Sequence, residues 1–148
     1  MKKFSFSLQK LLNYKEQLFD EEQRILREMR MVLAGLEKEL NDLRLDRAKR
    51  TTRYREKVLE GITIPEMDIH QKYMKVLDGY IDQKLAQIRF QQVVIDKQVE
   101  RVREAKIEIS TIEKLREKKL EEYNHIALKK AEEFIEEYVT TQTAMKAV

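Results

Sequence analysis

EGITIPE, residues 60–66, is the one strongly punctuated stretch of this sequence. Gly61 suits the left-handed conformation that closes a helix C-terminus. Thr63 followed three residues later by Glu66 is a capping box, and proline is tolerated in a first helical turn. The stretch therefore predicts a helix over about 7–59, a turn at 60–64 and a second helix over about 64–142.

Composition agrees with two long helices. The 148 residues include only three glycines and one proline, with 39% charged and 7% aromatic residues. Few turns can be built from that inventory, and Glu, Lys, Arg, Leu and Gln under a helical period mark coiled coil. The 30 basic and 27 acidic residues leave a net charge of +3, a mixed surface and not the polycation of a nucleic-acid binder. Absence of cysteine excludes disulfides and thiolate metal sites and fits a reducing compartment. No apolar run reaches the ~18–20 residues that span a bilayer. Lys2 and Lys3 lack the apolar segment of a secretory signal, so the expectation is an intracellular soluble protein.

Along helix one a 3–4 spacing runs through Leu8, Leu11, Lys15, Leu18, Glu22, Ile25, Met29, Val32 and Leu36. It resumes through Leu40, Leu43, Arg47, Arg50 and Tyr54, with an extra step of four near Leu36 that reads as a stutter. Helix two repeats it from Met74, Leu77, Ile81, Leu85, Ile88, Gln92, Ile95 and Val99 through Lys106, Glu113 and Leu120 to Phe134. Neither stripe can bury its seam alone. The expected fold is all-α: one domain, 1–148, forming an antiparallel coiled-coil hairpin in which residue i lies opposite roughly 125 − i. At 1.5 Å per residue the hairpin would be ~80 Å long, with ~35–40 Å of helix two left over. Leu120, Tyr123, Ala127, Phe134 and Tyr138 continue a stripe in that overhang, which either frays or docks another protein.

Two further clusters stand out. Tyr73, Leu77 and Tyr80 follow i, i+4, i+7 near the turn, with Tyr54 approaching from helix one. They are either interface anchors or a broadened seam. Residues 44–57 hold seven basic residues against Asp46 and Glu56. Such a run is a solvated face, a site for an acidic protein or, least in keeping with the pattern, a nucleic-acid contact. Catalysis finds no support. His70 and His125 fall far apart in this register, no glycine-rich loop cradles phosphate, and Glu121–Glu122 and Glu132–Glu133 have no cleft around them. Neither enzyme activity nor a cofactor or metal is expected. At the start, Ser7 as N-cap with Phe6 and Leu11 flanking it would form a hydrophobic staple.

The opening carries one more reading. Phe4, Phe6, Leu8, Gln9, Leu11, Leu12, Lys15 and Glu16, in the pattern FxFxLQxLLxxKE, resemble the start of the FliJ family of flagellar export proteins. EKLREKKLEEYN at 113–124 and KKAEEFIEEY at 129–138 resemble that family's charged stretch and Glu-rich ending. The resemblance implies a stalk similar to the shaft of rotary ATPases. It further implies association with the hexameric flagellar export ATPase, the cytoplasmic domain of the export gate protein FlhA, and export chaperones. By the family pattern, Tyr54, Tyr73, Leu77 and Tyr80 correspond to the gate-facing patch, while Phe4, Phe6, Leu11, Leu120, Tyr123 and Phe134 belong to the ring-facing end. The implied location is cytoplasmic, peripheral to the inner membrane at the flagellar base, with no nucleic acid bound and no membrane insertion. The competing readings are a stalk of a virulence-type secretion system and a generic coiled-coil adaptor.

Overall fold

The computed structural model describes residues 2–147. Two helices make up the fold, α1 at Gln9–Glu60 and α2 at Ile64–Ala147, and no strand occurs among the described residues. They meet at a three-residue turn. Gly61 takes φ 101°, and its N–H donates to the Val58 carbonyl at 3.2 Å. On the far side the Thr63 hydroxyl accepts from the Glu66 N–H at 3.3 Å, while the Thr63 N–H donates to the Glu66 carboxylate at 3.4 Å. The Met67 N–H closes the first α-turn on the Thr63 carbonyl at 3.1 Å. The capping box is thus present in both its halves.

A Cβ at residue 61 would meet no neighbour, so only the backbone conformation resists substitution there. Gly61→Ala is expected to cost about 1 kcal/mol, read as a lower urea midpoint by circular dichroism. An unchanged midpoint would mean that the turn relaxes without strain.

Two compact units divide the fold: Glu21–Val102 around the turn, and the two chain ends, through Asp20 and from Arg103 onward. Inside each, α1 and α2 run antiparallel. In the turn unit Arg47 meets Asp78 at 2.7 Å and the Gln91 amide reaches the Met29 carbonyl at 3.0 Å. In the terminal unit Lys15 meets Glu108 at 2.9 Å and Arg116 donates to Gln9 at 3.3 Å. These partners follow the expected 125 − i rule to within a helical turn or so.

The buried line on α1 differs from the expected one. Leu12 and Leu26 are 4% and 8% exposed, whereas Leu11 is 40% exposed and Val32 lies open. The inner line is Leu12, Phe19, Leu26, Leu33 and Leu40 at strict sevens, alternating with Leu8, Lys15, Glu22, Met29, Leu36 and Leu43. No stutter at Leu36 is needed. Leu11, Leu18, Ile25 and Val32 form a second apolar line one residue earlier, on the flank of the seam, where they cover it instead of entering it.

On α2 the seam takes Gln91, Gln98, Ala105 and Ile112 where Gln92, Val99, Lys106 and Glu113 were expected. Gln98, 2% exposed, is the most deeply buried polar side chain. Burying an amide costs free energy unless it is hydrogen-bonded. The Gln98 amide meets that condition by donating to the Glu22 backbone carbonyl at 2.9 Å and to the Glu22 carboxylate.

At its start α1 is capped differently from the staple reading. The helix begins at Gln9, whose N–H donates to the Phe6 carbonyl at 3.1 Å in a tight turn. The first α-type bond runs from the Leu12 N–H to the Leu8 carbonyl at 2.9 Å. Leu8 thus occupies the cap position and Ser7 lies outside. At the other end α2 stays helical through Ala147, and every described residue from Leu128 onward is exposed.

Candidate interaction surfaces

Near the turn α1 delivers Arg50, Arg53, Tyr54 and Lys57, and α2 delivers Glu66, Ile69, His70 and Tyr73. Together with Ile62 they line a groove of about 400 Å³. Tyr54 and His70 face each other as a–d layer partners, their rings stacked at 3.8 Å and 4°. The Arg50 guanidinium lies 3.9 Å from the centre of the Tyr73 ring and also bonds Asp46 at 3.3 Å. A guanidinium over an aromatic face is attractive. Arg47 does not reach this groove. Its bond to Asp78 spans the helices, and that carboxylate holds the guanidinium pKa above its ordinary value. The basic stretch thus supplies one cross-helix tie and a cationic rim of Arg50, Arg53 and Lys57, while Arg44, Lys49 and Arg55 stay exposed outside both.

The structure splits the expected tyrosine patch. Tyr54 and Tyr73 share the cationic groove. Tyr80, 54% exposed, lines a second groove of about 490 Å³ with Glu39, Asp42, Asp46 and Lys84, where Lys84 pairs with Glu39. Leu77 joins neither, being 3% exposed in the seam, and offers a partner no free surface. Tyr73 and Tyr80 stand on the same flank of α2, and α1 opposite them changes from basic to acidic, so the two grooves differ in charge. His70 and Arg53 were not singled out for this site from sequence. The 125 − i register, which sets His70 across from Tyr54, is the signal that could have found them.

In the terminal unit the opening FSFS is a strap. Residues 2–6 form no helix or strand, and the Phe4 ring packs on Tyr123 at 5.5 Å and 57° with the Arg116 guanidinium 5.6 Å away. The Tyr123 hydroxyl donates to the Lys2 carbonyl at 2.5 Å. Strap and α2 enclose a groove of about 700 Å³ whose walls include Phe6, Tyr123 and Ile126, with Lys2, Lys3, Lys119 and Lys130 around them. Of the six residues expected at this end, Phe4, Phe6 and Tyr123 come together. Leu120 sits half-buried one turn before Tyr123, Leu11 lies on the outer flank of α1, and Phe134 projects from bare helix at 70% exposure.

Neither site resembles a reaction centre. Among the described residues no group of His, Asp and Glu side chains is placed to hold a metal ion, and no helix is long and apolar enough to cross a membrane. What both offer is aromatic surface with more cations than carboxylates around it, which suits protein recognition. The family model described as flagellar FliJ protein matches residues 4–145, from the strap through the bare helix.

The chain belongs to the FliJ family.

No match was found among curated proteins or solved structures. Membership makes this FliJ-family chain a component of the flagellar protein-export apparatus, a structural part and not a known enzyme of that system. The matched residues include Tyr54, His70 and Tyr73 of the turn groove and Phe4, Phe6 and Tyr123 of the strap groove.

Proposed function

We propose that this chain is a non-enzymatic stalk and adaptor of the flagellar export apparatus. Its paired terminal helices enter the hexameric export ATPase ring and promote its assembly and ATP hydrolysis. Its turn end engages the cytoplasmic domain of FlhA, and export chaperones are handed on along the way. It works in the cytoplasm, held peripherally at the inner membrane under the flagellar base. The observation that carries this reading is the family match across both surfaces, Phe4–Tyr123 in one unit and Tyr54–His70 in the other.

The physical logic follows from symmetry. A single asymmetric chain cannot present the same face to six equivalent subunits. It can favour nucleotide closure in one of them only if its contacts differ between subunit states. The strap supplies such asymmetry, since its aromatic and lysine side chains lie on one side of α2.

Titration into the flagellar export ATPase of the same genome tests the reading. Stimulated ATP hydrolysis that saturates near one chain per hexamer is expected, and Tyr123→Ala should weaken the half-saturation by about ten-fold, as loss of an aromatic anchor does. Arg53→Glu should leave stimulation intact and weaken FlhA binding. A folded chain that neither binds nor stimulates the ATPase would overturn the ring assignment and leave the adaptor reading.

A further inference from the structure

The bare part of α2 carries a pattern that the stalk reading does not use. Ala127, Ala131, Phe134, Tyr138, Thr141 and Met145 recur at steps of four and three along α2, where Ala127 is half-buried and every described residue from Leu128 onward is exposed. Phe134, Tyr138 and Met145 are 60–71% exposed. We propose that the free chain pairs with a second copy of itself through this stripe, the two bare helices running antiparallel about a two-fold axis between residues 132 and 133.

Size and charge select that occupant. In an antiparallel coiled coil each a position faces a d position of the other helix. The register that sets Ala131 opposite Phe134 also sets Ala127 opposite Tyr138, and two-fold symmetry repeats both pairs. Small therefore faces large in every central layer, which fills the seam without voids. A parallel pair would stack alanine on alanine and phenylalanine on phenylalanine, leaving gaps beside crowding. On one flank of the antiparallel pair Lys130 meets Glu137 of the second copy, and on the other Leu128 meets Ile135. The stripe matches itself in both volume and charge, and a chance apolar face would not.

This inference concerns the chain outside the ring, so its outcome and that of the ATPase titration are read separately. Sedimentation equilibrium of the full chain is expected to give a species of twice the 17.9 kDa chain mass. Lys130→Glu and Glu137→Lys each set like charges against one another twice per dimer and should weaken association about ten-fold. The double variant carrying both changes should restore it. Phe134→Ala should leave a monomer with unchanged helix content, and adding Ala131→Phe to it should rebuild the dimer. A monomer at every concentration would overturn the proposal, leaving the stripe to a different protein. A dimer indifferent to Phe134→Ala and to the charge changes would overturn it equally.

Discussion

Gln98→Glu is expected to lower the stability of the fold by about 3 kcal/mol at neutral pH, the scale of a buried charge deprived of its counterpart. The Gln98 amide donates to the Glu22 carbonyl and carboxylate from a site that is 2% exposed. A carboxylate in its place presents lone pairs to lone pairs and a negative charge to another. Burial and Glu22 together would raise the pKa of the new carboxyl in the folded state above its unfolded value of about 4.3. The penalty is then absent below that unfolded value, grows as pH rises from it through the folded pKa, and is full above both. Urea unfolding of variant and parent at matched pH should therefore converge on acidification and separate near neutrality. Gln98→Leu is the informative contrast, because removing the amide without introducing a charge leaves only the Glu22 carboxylate without its donor. It should cost about 1–2 kcal/mol, with no loss on going from acid to neutral pH of the kind Gln98→Glu shows. An unchanged midpoint for Gln98→Glu at neutral pH would show that water or helix movement relieves the site.

The second large effect separates folding from recognition at the tip. Leu77→Ala should cost about 3 kcal/mol, the middle of the range for a leucine removed from a packed interior. Tyr80→Ala, three residues away, should stay within about 0.5 kcal/mol because its ring stands in the open acidic groove. Denaturant midpoints check both. A loss of FlhA binding by Leu77→Ala would then be traced to the seam, whereas the same loss by Tyr80→Ala would mark a contact. Equal stabilities for the two variants would contradict the assignment of Leu77 to the seam.

Much of this architecture was legible in the amino-acid order because it rests on local rules. Thr63 and Glu66 announce the second helix within four residues, and one turn between two apolar stripes leaves them only each other. The 125 − i register then follows from the position of Gly61. The choice between the Leu11 line and the Leu12 line was not legible, because both repeat at seven and both are apolar. Only the opposing helix distinguishes a residue that enters the seam from one that flanks it. Gln91 and Gln98 were missed for a related reason. An amide looks like surface until the carbonyls of Met29 and Glu22 are brought to it from the other helix. The strap was read as a helix cap since its true partner, Tyr123, lies at the far end of the sequence. Tyr73, Leu77 and Tyr80 looked like one patch because their spacing is helical, yet the charges that divide it belong to α1.

The single turn at Gly61 also sets an order in time. The entropy lost in closing a loop grows with the logarithm of its length, so contacts between near neighbours in sequence form most readily. Thr63 with Glu66 caps α2 locally, and Tyr54 with His70 spans a short loop between α1 and α2. Pairing that starts there lengthens outward one layer at a time, each layer bringing the next within reach. Lys2 and Phe4 reach Tyr123 across the longest loops, so the aromatic strap closes last when the chain folds and parts first when it is pulled from its ends.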